Sequence, residues 1–203
     1  MAIVTGIEEK RGQVEILADG AVVLRVRKQH FDRVPVREGD EIDVERYVGR
    51  LAAVQFADAY EAALCCLDRS SRSEREIAAA LRRRGYVEPA IEAVLQRLRE
   101  NRLIDDARYA QRMAELHVGK ATGVYAFKRK LRAKGISEED AEEALSAFDE
   151  EQQRDACLEV AQSLFRRYAE LPRREGRAKL SQALARRGFG WDAIESTVDQ
   201  LFE

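Results

Sequence analysis

Few residues in this chain of 203 could carry covalent chemistry, and their spacing works against it. The two imidazoles, His30 and His117, lie far apart, so neither a histidine metal centre nor a Ser-His-Asp relay has local support. Three cysteines are an odd number, and the adjacent Cys65-Cys66 matches neither zinc-ligand nor redox-motif spacing. They read, with Cys157, as reduced thiols on helices. Gly119-Lys120-Ala121-Thr122 has the outline of a phosphate-loop end, but Ala114 stands where the first glycine belongs and no apolar strand precedes it. It is expected to be an interhelical loop. No catalytic residue, metal ligand or cofactor is assigned, and the chain is read as a non-enzyme.

Charge, in contrast, is abundant and sorted. Lys and Arg number 35 against 37 Asp and Glu, a net of −2, and the bases collect in three similar segments. Leu81-Arg82-Arg83-Arg84-Gly85-Tyr86, Leu131-Arg132-Ala133-Lys134-Gly135-Ile136 and Leu184-Ala185-Arg186-Arg187-Gly188-Phe189 each read leucine, two variable residues, a base, glycine and an apolar residue. Downstream, Ile91-Glu92, Ala141-Glu142 and Ile194-Glu195 follow in register, then Leu95, Leu145 and Val198, then Leu98, Phe148 and Leu201. The segments ending at these glycines carry +2 (Ser73 to Gly85), +5 (Gly123 to Gly135) and +5 (Arg173 to Gly188). The segments after them carry −1 (to Asn101), −7 (to Glu150) and −4 (to Glu203).

Two readings of this polarity compete. Neighbouring basic and acidic helices could neutralise one another within each unit. Alternatively, since like charges on one helix repel at a cost of tenths of a kcal/mol per pair, their concentration points to a stripe for a polyanion. The candidates for contact with nucleic acid or an acidic protein groove are Arg82, Arg83, Arg84, Lys128, Arg129, Arg132, Lys134, Arg173, Arg174, Arg177, Arg186 and Arg187. Sequence-specific reading would need Asn, Gln or Arg aimed at base edges, and these segments are mostly Lys, Arg and Ala, so backbone contact is expected. Tyr125 and Trp191 are candidates for stacking on bases, whereas Phe127 has core spacing with Val124 and Leu131.

The elements that must position these bases follow from periodicity. Before about residue 48, Ile3 to Lys10, Gln13 to Leu17 and Ala21 to Arg27 are rich in β-branched residues and divided by Arg11-Gly12 and Asp19-Gly20, which predicts a three-stranded antiparallel meander with tight turns. Phe31, Val34, Val36 and Ile42 are expected to complete its small core. From Asp43 onward the apolar spacing is helical: Val44, Tyr47, Val48 and Leu51, then Tyr60, Ala63, Leu64 and Leu67. Pro89 and Pro172 should open helices. Each unit reads as three helices, the second ending at the repeated glycine in a left-handed cap. Tyr109, Ala110, Met113 and Leu116, and Val160, Leu164, Phe165 and Tyr168, should line the first helices of the later units. Ser73 with Glu76 and Ser137 with Asp140 have capping-box spacing. The expected fold is mainly α: tandem three-helix repeats in an elongated curved array behind a small N-terminal antiparallel β module. Divisions are expected at 1–48 (β module), 49–104 (linker helix and repeat 1), 105–149 (repeat 2) and 150–203 (repeat 3).

In order and spacing, Ala63-Leu64, Leu67, Arg69-Ser70-Ser71-Arg72-Ser73-Glu74, Leu81 to Gly85, Leu103-Ile104-Asp105-Asp106-Ala107-Arg108-Tyr109-Ala110 and Leu131 to Ile136 resemble the RecX regulatory proteins of bacteria. Tyr109-Ala110 stands where Phe-Ala is commoner in that family. The likeness spans about residues 57 to 203, and the N-terminal strands resemble an extension found in some members. It implies a modulator that lodges in the groove of the RecA filament and binds single- and double-stranded DNA. Such a modulator limits filament growth, strand exchange, DNA-dependent ATP hydrolysis and coprotease activity in recombination, DNA repair and the SOS response.

Two further function classes share the same basic helices: a stand-alone, non-sequence-specific nucleic-acid-binding repeat protein, and a helical adaptor that binds proteins alone. With no run near the roughly 18 apolar residues a membrane helix needs and no signal-peptide pattern after Met1, a cytoplasmic protein without membrane contact is expected. The absence of sustained heptads favours a monomer.

Overall fold

The computed structural model describes residues 1–117, 121–146 and 148–202, so Gly119 and Lys120 of the phosphate-loop-like segment lie outside the described residues. Two compact units divide the chain, Met1–Asp105 and Asp106–Glu203. Among the described residues no helix is long and apolar enough to cross a membrane.

In the first unit, β1 (Ala2–Lys10), β2 (Gln13–Ala18) and β3 (Ala21–Arg27) form the meander. Both of its turns are two-residue turns with positive φ, at Arg11-Gly12 and Asp19-Gly20. After α1 (Lys28–Phe31), a fourth strand that the sequence reading lacks, β4 (Glu41–Ile42), pairs with the free edge of β1, giving the order β3-β2-β1-β4. Two residues are too few to carry an alternation. Val4, Val14, Ile16 and Val26 turn inward with Val34, Val36 and Ile42.

The lid of this core is α2 (Val44–Arg69), opened by Asp43, whose side chain accepts from the Arg46 N–H. Its buried residues Tyr47, Leu51, Gln55, Ala59 and Ala63 recur every fourth position, one stripe along a 26-residue helix. The first two belong to the sheet core, with Tyr47 Oη donating to the Val34 carbonyl at 2.9 Å. Ala59 and Ala63 belong to the core of repeat 1, with Ile77, Leu81, Ile91 and Leu98. Between them Gln55 accepts from the Val87 N–H at 2.8 Å. Residue 48 therefore lies within a continuous helix. Repeat 1 continues with α3 (Glu74–Arg83), whose Ser73/Glu76 capping box is fully formed, and α4 (Glu88–Glu100), with Pro89 in its first turn.

The second unit holds α5 (Asp106–Glu115), α6 (Val124–Lys134), α7 (Glu138–Leu145), α8 (Glu150–Phe165), α9 (Arg173–Arg186) and α10 (Trp191–Leu201). Helices α5 to α7 pack around Phe127, Leu131 and Ala141; α8 to α10 pack around Leu180, Leu184 and Ile194. Leu116, expected on the first helix of repeat 2, instead follows the end of α5 and is 66% exposed. The glycines do what their register demands, with φ of 80° at Gly85, 84° at Gly135 and 83° at Gly188. The chain is thus mainly α, tandem three-helix units behind a four-stranded antiparallel sheet.

Candidate nucleic-acid interface

The bases of α3, α6 and α9 divide by what they touch. Arg82 is bidentate to Glu88, with Nε to Oε1 at 2.5 Å and Nη2 to Oε2 at 2.7 Å. Arg132 holds Glu138 with Nε at 2.9 Å and Nη2 at 2.7 Å. Both pairs join the residue three before the repeated glycine to the residue three after it, across the turn between second and third helix. Lys128 also pairs with Glu138, and with Glu142 at 3.4 Å. Arg177 pairs with Asp199, and Lys134 lies over the Tyr109 ring, 5.4 Å from its centroid. These contacts hold the Glu88 and Glu138 carboxyls below the usual carboxylate range, through Arg82 in one case and Lys128 then Arg132 in the other. Screened by solvent, exposed pairs of this kind add little to stability, so their consequence is the charge they remove from the surface.

A second set meets no carboxylate among the described residues. Arg84 and Arg187 donate to the carbonyls of Ala62 and Ala183, and Arg129 donates to that of Arg186 at 3.4 Å. Arg83, Lys130, Arg173, Arg174 and Arg186 are exposed. The neutralised and the free bases are therefore different residues on the same helices. Mutual neutralisation accounts for Arg82, Lys128, Arg132 and Arg177, and does not extend to Arg129, Lys130 or Arg186 among the described residues.

Repeats 2 and 3 meet through their helix ends. The C-terminal end of α9 abuts the start of α6: Gly123 N–H donates to the Arg187 carbonyl at 3.1 Å, and Tyr125 N–H to the Gly188 carbonyl at 3.0 Å. No side chain fits at either glycine, since a Cβ on Gly123 would overlap the Gly188 carbonyl and one on Gly188 would overlap the Ala126 backbone. Carbonyls at a helix end and amides at a helix start are the unpaired groups of each, so the junction satisfies both. It sets Arg129 beside Arg186, whose carbonyl it reaches at 3.4 Å.

Alongside α9, Arg167, Tyr168, Lys179, Gln182 and Arg186 line a cleft of about 430 Å³. Lys179 is tied to Glu175 at 2.6 Å, whereas Arg167 rests on the Tyr168 ring. The sequence reading missed Arg167, which lies beyond the end of α8 and outside the basic repeat. In the first unit Arg25, Arg82 and Arg83 meet Gln13, Tyr86 and Glu88 around a cleft of about 400 Å³, bringing the β2-β3 hairpin to the end of α3. Of the aromatics, Phe127 is buried, while Tyr125 and Trp191 are 56% and 65% exposed.

His30 is fully buried, its Nε2 2.9 Å from Asp58 Oδ2 and its ring 5.7 Å from that of Tyr86, which ties α1 to α2 and repeat 1. Its hydrogen bond holds the Asp58 carboxyl below the ordinary value. Cys65, Cys66 and Cys157 are free thiols on α2 and α8, and burial pushes the Cys157 thiol up.

Comparison with known proteins agrees with this architecture. Residues 59–98 match the model for the first three-helix domain of RecX, 105–145 that for the second and 150–198 that for the third. Regulatory protein RecX of Limosilactobacillus reuteri is 31% identical over 206 aligned residues, spanning 99% of this chain and 77% of that protein. Regulatory protein RecX of Levilactobacillus brevis is 32% identical across 95% of this chain and 73% of its own length. A crystal structure of regulatory protein RecX superposes with a TM-score of 0.68 at 30% identity, covering 98% of this chain and all (100%) of that one. With its three helical units matched in order, the chain belongs to the RecX family of regulatory proteins.

Proposed function

We propose that the chain restrains the RecA recombinase by binding its filament and DNA. In this reading it inhibits filament growth, strand exchange, ATP hydrolysis and coprotease activity, and carries out no catalytic step of its own. The observation that carries the reading is the run of three RecX domains in order along the chain. The bases that meet no carboxylate support its polyanion half. Arg129 and Arg186 meet at the α6-α9 junction, where a phosphate backbone would be drawn without regard to base sequence.

The test is RecA's DNA-dependent ATPase with this protein added well below one copy per recombinase subunit. Inhibition at that ratio is expected, because capping or interrupting a filament acts on many subunits at once. A folded preparation that binds DNA yet leaves the ATPase unchanged at equimolar protein would overturn the modulator reading. The stand-alone nucleic-acid-binding alternative would then take its place.

A further inference from the structure

At one position in register the third repeat departs from the other two. Three residues after the repeated glycine stand Glu88 and Glu138, each neutralising the arginine that stands three residues before that glycine. In repeat 3 the same two positions hold Ala185 and Trp191, so the ion pair is gone and an indole, 65% exposed, occupies the acid's place. Beside it is a second exposed ring. Tyr125, in the first turn of α6, lies against the Gly190 backbone that immediately precedes Trp191. Arg129, one helical turn on from Tyr125 and on the same face of α6, reaches the Arg186 carbonyl. Tyr125 and Arg129 therefore lie along the turn between Arg186, the last residue of α9, and Trp191, the first of α10.

Two exposed rings, with two guanidinium groups beside them that meet no carboxylate among the described residues, match one kind of ligand: flat uncharged rings strung on an anionic backbone. A duplex keeps its base faces stacked inside and offers only phosphates, sugars and groove edges. The groove of about 380 Å³ below Tyr125 is also lined by Glu150, its partner Arg154 and Asp192, one acid more than it has bases, which gives no pull for a phosphate there. We propose that Trp191 and Tyr125 form a base-stacking platform for single-stranded DNA, with Arg129 and Arg186 holding the flanking phosphates. This rests on the nucleic-acid half of the function proposed above, and gives that surface a preference for single strands.

Trp191 is the only tryptophan in the chain, so its fluorescence reports this site alone. The full chain would be titrated with a labelled oligothymidylate and with a duplex of equal length, following label anisotropy for binding and tryptophan emission for stacking. Saturating oligothymidylate should quench the emission by about half or more, and duplex at equal saturation should leave it nearly unchanged. Trp191→Ala should weaken oligothymidylate binding roughly tenfold, the loss expected for one stacked base, with duplex affinity within about twofold and Trp191→Phe close to wild type. An exposed side chain can be removed without unfolding, and a circular dichroism melt checks this. Oligothymidylate that binds without quenching, or binds Trp191→Ala as tightly as wild type, overturns the platform while leaving the basic surface standing. Loss of RecA inhibition in Trp191→Ala with unchanged DNA affinity also overturns it and assigns the rings to a protein contact. If neither DNA binds, the platform and the DNA half of the proposed function fall together, and the ATPase assay still decides the RecA half.

Discussion

Gly85, Gly123 and Gly188 lack side chains for reasons that differ, and substitution separates them. At Gly85 φ is +80° and nothing lies within 4 Å of a would-be Cβ, so Gly85→Ala carries backbone strain alone, about 1 kcal/mol. Gly188 combines φ of +83° with the close approach of Ala126. Gly123, with φ of −74°, is under no backbone constraint, yet its Cβ would strike the Gly188 carbonyl. Calorimetry of the three alanine variants should show the smallest fall in melting temperature for Gly85→Ala and the largest for Gly188→Ala. A Gly123→Ala protein that melts like the wild type would mean that repeats 2 and 3 do not meet at these glycines. Asp58 permits a prediction in pH. Its carboxyl is depressed in the folded chain by the His30 hydrogen bond, so its stabilisation is present above the ordinary value of 3.8 and lost as pH falls through the lower folded value. Asp58→Asn should therefore flatten the fall of melting temperature below pH 3.8, and an acid limb identical to that of wild type would contradict it.

At the scale of the element, α6 carries bases paired with carboxylates beside bases that meet none among the described residues. Lys128→Glu with Arg132→Glu would set like charges against Glu138 and Glu142, lowering the melting temperature with little effect on DNA affinity. Arg129→Glu with Lys130→Glu and Arg186→Glu should leave the melt nearly unchanged. The same triple variant should weaken DNA binding and flatten its log-log salt slope by about 2, at roughly 0.7 per lost single-strand phosphate contact. Salt-titrated anisotropy beside thermal melts reads both, and the opposite assignment would show as a binding loss in the first variant. The helices themselves were legible in the sequence because their signals are local: the glycine ends, the Ser73/Glu76 box and Pro89 each act within a turn. The division of the bases was not, although the spacing of three before and three after the glycine occurs twice. Whether Arg82 and Glu88 meet depends on a turn geometry that charge counting ignores. The unity of α2 escaped for a related reason, since Gln55, polar yet buried, interrupts its apolar pattern.

For the whole molecule, α2 makes the sheet and the first repeat share one helix. Deleting residues 1–42 keeps the Asp43 cap but uncovers Tyr47 and Leu51; deleting 1–48 removes the cap and Tyr47 as well, at a further cost of about 1 kcal/mol for the cap. Both truncations should keep their helical circular dichroism and melt lower than the full chain, in that order, and both are expected to go on inhibiting RecA. A first truncation that melts like the full chain would show that the sheet core does not rest on α2. Family membership could be read from the chain because its motifs are contiguous. The docking of repeat 3 on repeat 2 could not, because a glycine before a helix states nothing about which carbonyl approaches it. That docking has a kinetic consequence. First-turn amides of a helix have no partner within it and ordinarily exchange with solvent deuterium at once, as those of Glu150 and Glu151 in α8 should. The amides of Gly123 and Tyr125 are instead closed by carbonyls from another repeat, and that of Val124 by Gln153 Oε1. Fraying of α6 cannot release them while repeat 3 stays seated, so the rate at which these three protons are lost is a clock for the opening of one repeat from the next.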